Sequence, residues 1–238
     1  MPVTTLEYIC RSRLLRSAGC AQPLPDDDDV AAADRVAQCN SDLGDGYGRL
    51  AEAVVSWFDL PVRYVLTDMI PVSLVGAVDY LTQALPGRSV KLVIDEPLPD
   101  DADVVVVPGW HEVFRSPGSL GADLVCNVES FQEMTAEQVG WWIGVSEHLL
   151  GGRGAFYCSN SRAYHNRHPW PIPEHWVTAF WSETPRAWTA DHPTALYTVG
   201  VDDESVEAIR VAGESVRQAM WRGIGVSTAA TDFVSPDH

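Results

Sequence analysis

Gly44, Gly46 and Gly48 stand on alternate positions between Asp42 and Arg49 in the stretch SDLGDGYGRL. Glycine serves where a backbone turns sharply or lets a ligand approach the main chain. A second acid, Asp68, follows the loop by about twenty residues and ends the apolar run VRYVLTD. A carboxylate in that place can accept ribose hydroxyls, as in dinucleotide-binding sheets. The plainer alternative is a tight structural turn with Asp68 capping the next helix.

The loop's chemistry narrows the ligand. The chain has no Gly-Lys-Ser/Thr, and Arg49 occupies the place of the third glycine of a dinucleotide fingerprint. Asp42 and Asp45 make the loop acidic, which suits a ligand carrying a sulfonium and an ammonium, such as S-adenosylmethionine, better than a diphosphate.

Other groups could move protons or hold hydroxyls. His111, Glu129, Glu133 and His165 lie at expected strand ends or just after them. His111 follows a Pro-Gly-Trp turn and has the titration range of a base near neutrality; its alternative is an exposed loop histidine. Glu133 either complements a helix N-terminus or orients a substrate hydroxyl. Asn127, Ser130 and Asn160 are better suited to hydrogen-bonding polyol hydroxyls than to acid–base work, and with Glu129 they form the candidate substrate contacts. The stretch AYHNRHPWPIPEHW, Ala163 to Trp176, reads either as a lid whose Trp170 and Trp176 stack on a sugar ring or as a long packed loop. Its histidines lack the helical H-x-x-x-H spacing of a zinc site, so no metal is expected.

These groups need a scaffold, and the hydrophobic pattern supplies one. After an irregular lead-in over residues 1–34, short apolar strands alternate with amphipathic helices over residues 35–200, followed by a C-terminal helix and tail over 201–238. This is the pattern of an α/β domain with helices on both faces of a mostly parallel sheet. A weak, polar strand at Val36 to Leu43 precedes the glycine loop and a helix at Arg49 to Phe58. The runs Val90 to Ile94, Asp103 to Pro108 and Ala122 to Asn127 read as strands buried on both faces. Thr135 and Gln138 form a capping box for a helix ending at Gly151-Gly152, and GAFYCSN is the next strand. WVTAFW and TALYTV are candidates for a closing antiparallel pair, and Val206, Ile209, Val216 and Met220 mark the last helix.

Bulk composition bounds the partners. The 238 residues carry a formal charge of −17, which disfavours nucleic acid and anionic membrane surfaces. No apolar run approaches the length of a membrane span and no basic-then-apolar leader opens the chain, so a cytoplasmic location is expected. The five scattered cysteines read as reduced thiols, and Asp26 to Asp29 as a solvated linker.

DLGDGYGRLAEA resembles the first motif of S-adenosylmethionine-dependent methyltransferases. ADLVCNVESFQEMTAEQVGWW followed by GGRGAFYCSNS is similar to the sugar O-methyltransferase family, the stretch Ser130 to Met134 being its most specific part. The resemblance spans about Asp42 to Ser161. It implies a doubly wound Rossmann-like methyltransferase sheet, with Asp42, Gly44, Gly46 and Gly48 cradling the methionine end of the cofactor and Asp68 binding its ribose. It also implies that the segment of Pro108, Gly109 and Trp110 flanks the adenine, with Asp95 and Glu96 as competitors, and that a sugar or glycoside hydroxyl is the acceptor. Two strands lie where the family's simplest pattern has one, and the polar first strand leaves room for a degenerate, non-catalytic fold. A nicotinamide-dependent oxidoreductase is a further rival. The oligomeric state is not encoded in any motif.

Overall fold

The computed structural model describes residues 36–38, 48–57, 62–116, 120–160, 170–183 and 193–223. Eight strands form one sheet: β1 (Val36–Gln38), β2 (Arg63–Asp68), β3 (Val90–Leu92), β4 (Val104–Pro108), β5 (Leu124–Val128), β6 (Gly154–Ser159), β7 (Val177–Glu183) and β8 (Pro193–Val199). Among the described residues four helices connect or follow them: α1 (Arg49–Trp57), α2 (Pro71–Ala84), α3 (Ala136–Leu150) and α4 (Asp203–Gly223).

The strand order is β3-β4-β2-β1-β5-β6-β8-β7. All pairings from β3 to β6 are parallel, whereas β8 runs antiparallel to both β6 and β7. From β1 the chain passes to β2 and on to β3 at the edge, comes back to β4 between those two, and then crosses to the other side of β1 with β5 and β6. The winding therefore reverses between β1 and β5, and ligands of such sheets bind at the carboxyl edge there.

Period-two alternation divides the core between the two faces. Tyr64, Leu66, Val104, Val106, Leu124, Cys126, Ala155 and Tyr157 meet residues of α1, α2 and α4, including Val54, Leu81 and Ile209. Val65, Val105, Val107, Val125 and Phe156 face the opposite way, against α3 residues such as Val139, Ile143 and Leu149. Because Val206 and Ile209 lie in the first cluster, α4 shares the core of the sheet.

β4 is wholly buried, as its run of valines requires. β3 is not: it occupies the sheet edge, leaving Leu92 39% exposed, so the expectation of burial on both faces fails for that strand. Hydrophobicity alone could not reveal that, among the described residues, it pairs on one side only. The Thr135 capping box forms as the spacing predicts, with the Gln138 N–H donating to Thr135 Oγ1 at 3.3 Å and the Thr135 N–H to Gln138 Oε1 at 2.8 Å. Gly151 ends α3 in the left-handed conformation, at φ 59°.

Candidate functional site

Asp68 is the last residue of β2, next to β1, paired across the sheet with Pro108 of β4. It is 1% exposed. Its Oδ1 accepts the Ile70 N–H at 2.7 Å, while its Oδ2, shut away from solvent, accepts no hydrogen bond from the described residues. Burial pushes the carboxyl above its ordinary range, opposed by the N–H groups of Ile70 and Met69 and, more weakly, by the Ser73 hydroxyl. A buried carboxylate oxygen without a donor is costly, and a ligand hydroxyl would relieve that cost.

Around this acid the carboxyl edge is apolar and open. Met69 and Ile70 are 44% and 48% exposed, and Trp110, just beyond β4, is 41% exposed. The Gly109 N–H donates to the Asp68 carbonyl at 2.9 Å and ties the two strand ends together. A Cβ on Gly109 would stand 2.3 Å from Met69 Sδ, so the absence of a side chain lets Met69 lie against this turn. Neither Met69 nor Ile70 was marked by sequence reading. Their only signal is two large apolar residues directly after a strand-terminal acid.

The helix that follows the glycine loop is fixed on α2. Gly48 adopts φ 79°, and a Cβ there would meet Leu81 Cδ1 at 2.7 Å. Its carbonyl accepts the Glu52 N–H at 2.9 Å, and the Tyr80 hydroxyl donates to Glu52 Oε2. Gly48 is thus needed both for its backbone angle and for the close approach of two helices. Asp42, Gly44 and Gly46 lie outside the described residues, as does His165.

The β5–β6 side brings Asn127, Ser130 and Asn160 together, turned toward one another. Asn127 Nδ2 donates to Ser130 Oγ at 2.6 Å, and Asn160 Nδ2 to Asn127 Oδ1 at 2.9 Å. Asn160 Oδ1 accepts the Phe131 N–H at 2.8 Å. All three residues are buried, Asn160 completely. Beside them Ser159 Oγ and Thr194 Oγ1 are 2.9 Å apart in a hydrogen bond between β6 and β8. This arrangement braces the segment after β5 instead of presenting free amide groups.

Glu129 is the residue directly after β5 and has a positive φ of 64°. Its N–H donates to the Ser159 carbonyl at 2.9 Å, and its Oε2 accepts from Gln132 Nε2 at 3.1 Å. Glu133 ends the short 3-10 turn Phe131–Glu133 and is exposed.

His111 is buried rather than exposed on a loop. Its Nδ1 accepts the Val113 N–H at 3.1 Å, which leaves the ring proton on Nε2, 2.9 Å from the Glu96 carbonyl. Both nitrogens are therefore engaged in holding the β3–β4 connection to the turn after β4. Trp176, one of the two tryptophans of the expected lid, is buried with its ring 5.5 Å from Phe156 and 6.5 Å from Tyr197. Trp170 packs edge-on to Phe131 at 6.5 Å. The described part of that stretch is packing for the second face of the core, and the stacking-lid expectation gives way to it. His175 Nε2 pairs with Glu147 Oε1 at 2.8 Å, and no group of three metal-ligating side chains occurs among the described residues. No helix among them is long and apolar enough to cross a membrane.

No protein-family model and no curated protein sequence matches the chain. Solved structures that superpose on it include a TehB-like SAM-dependent methyltransferase from Corynebacterium glutamicum, 14% identical, covering 84% of this chain and 100% of that one at a TM-score of 0.46. The magnesium protoporphyrin IX methyltransferase from Synechocystis, solved with bound SAM, is 10% identical, covering 82% and 80% at a TM-score of 0.48. A SAM dependent methyltransferase from Aquifex aeolicus is 10% identical, covering 83% and 93% at 0.48. These likenesses concern the path of the chain. The strand order, with a single antiparallel strand placed before the last edge, gives the chain a doubly wound Rossmann-like α/β fold, extended by β3 at one edge.

Proposed function

We propose that this protein is an S-adenosylmethionine-dependent O-methyltransferase acting on a hydroxyl of a sugar or sugar-bearing natural product. The observation that carries the cofactor reading is Asp68: buried, with Oδ1 fixed on the Ile70 N–H and Oδ2 without a partner among the described residues. Ribose hydroxyls are the donors that such an oxygen lacks. Met69, Ile70 and Trp110 offer exposed apolar surface beside it for a purine ring. The chain's formal charge of −17 further favours a cationic ligand over a diphosphate.

Once bound, the cofactor supplies an electrophilic methyl group on a sulfonium. The protein's part is then positioning, because an in-line displacement gains much of its rate from holding the acceptor oxygen on the sulfur–carbon axis. The rigid Asn127, Ser130 and Asn160 network supports that task from the β5–β6 side. The sugar acceptor rests on the resemblance of the Ser130 to Met134 stretch.

Isothermal titration with S-adenosylhomocysteine, with NAD as control, tests the cofactor reading. Micromolar binding of the former alone supports it and opens an acceptor search among nucleotide sugars and glycosides. A folded protein that binds neither is a non-catalytic member of the fold, and one that binds only NAD is an oxidoreductase.

A further inference from the structure

Glu129 is the only non-glycine residue with a positive φ among the described residues. At φ 64° a side chain's Cβ crowds its own backbone, and glutamate is not among the residues enriched there. A strained residue persists only where its surroundings over-determine it, and such strain concentrates at functional sites.

Here the surroundings do so on both sides. The Glu129 N–H is held by the Ser159 carbonyl on β6. Before it, Asn127 is tied to Ser130 and Asn160; after it, the Phe131 N–H is tied to Asn160 Oδ1. Gln132 Nε2 holds one carboxylate oxygen at 3.1 Å and so restricts its rotation. The residue follows the last position of β5, the strand beside β1 on the far side of the winding reversal from β2. It therefore stands across that reversal from Asp68.

The other proton acceptors expected from sequence are less well placed. Both nitrogens of His111 are engaged, Glu133 is exposed to solvent, and His165 lies outside the described residues.

We propose that Glu129 is the catalytic base, the carboxylate that takes the proton of the acceptor hydroxyl; this rests on the methyltransferase reading above. The acceptor's O–H bond breaks, its proton passes to a Glu129 oxygen, and the oxygen's electron pair forms the bond to the methyl carbon. The sulfur–carbon bond breaks with its pair returning to sulfur, and the carboxyl then releases its proton to water. Gln132 keeps the carboxylate in one orientation for this transfer.

The test compares the wild type with Glu129→Gln and Glu129→Gly. Each protein is titrated with S-adenosylhomocysteine, melted, and assayed over a pH series for its formation from S-adenosylmethionine with nucleotide sugars and methyl glycosides. Both variants should bind S-adenosylhomocysteine within about twofold of wild type, since Asp68 and the loop carry that affinity. Glu129→Gln should lose about a hundredfold or more in turnover, together with the acid limb of the pH profile. Glu129→Gly should melt about 2–4 °C higher, because glycine relieves the left-handed strain.

A wild type that does not bind S-adenosylhomocysteine overturns the methyltransferase reading and this role with it. If the wild type binds, a fully active Glu129→Gln overturns the role alone. So does a Glu129→Gly that melts no higher, and the melting comparison needs no acceptor to be found.

Discussion

The two halves of the carboxyl edge handle polar groups in opposite ways. On the β2–β4 side a buried carboxylate keeps one oxygen unpaired among exposed apolar residues, Met69, Ile70 and Trp110. On the β5–β6 side every amide singled out from the sequence is spent on a neighbour: Asn127 on Ser130, Asn160 on Asn127 and on the Phe131 N–H. A buried polar group left unsatisfied costs stability and signals a ligand; one that is satisfied rigidifies the chain around it. In the function proposed above, the first half receives the cofactor and the second holds Glu129 in place.

Substitutions can break this contrast. The largest effect on stability is expected for Asn160→Ala, which orphans the Phe131 N–H and Asn127 Oδ1 in a completely buried setting. Two stranded groups at roughly 1–2 kcal/mol each give about 2–4 kcal/mol, measurable by urea unfolding. A loss under about 1 kcal/mol would place the network among dispensable contacts.

Asp68→Ala should do the reverse, weakening S-adenosylhomocysteine binding by about 1–3 kcal/mol while costing less stability than Asn160→Ala. Unchanged affinity in a titration would move the ribose elsewhere. The acid also leaves a pH signature. Burial raises its pKa in the fold, so between the unfolded and folded values the native state keeps a proton that the unfolded chain has released. Stability from this group is full below the unfolded value and is lost as pH rises through the folded one. Asp68→Asn should flatten that part of the stability–pH curve, and an unaltered curve would mean that the native carboxyl titrates like the unfolded one.

His111→Ala is expected to cost about 1–2 kcal/mol of stability by freeing the Val113 N–H and the Glu96 carbonyl. Loss of turnover with full stability would instead make the ring a base. The smallest change is Gly109→Ala. Its Cβ would displace the flexible end of Met69, so stability should move by less than about 0.5 kcal/mol. Cofactor affinity should still fall about threefold as Met69 shifts over the proposed purine site, an effect of roughly 0.7 kcal/mol. Equal losses in stability and affinity would mean that Gly109 serves packing alone.

The elements were legible because local rules fixed them. Short apolar runs placed β2, β4, β5 and β6 within a residue or two, and Thr135 with Gln138 placed the start of α3. The antiparallel β7–β8 pair is where WVTAFW and TALYTV lie. Asp68 was legible through its distance from the glycines. Its empty oxygen was not, because satisfaction is a property of neighbours brought from elsewhere in the chain.

The sequence by itself determined the fold class and the position of the acid at the end of β2, since periodicity, capping and strand ends are local. Tertiary structure alone decided that those three pair with one another, that His111 is held at both nitrogens and that Trp176 belongs to the core. It also set the left-handed backbone of Glu129, for which no local motif calls. Hydrogen bonds and packing between distant segments choose which polar groups are consumed and which remain free to act.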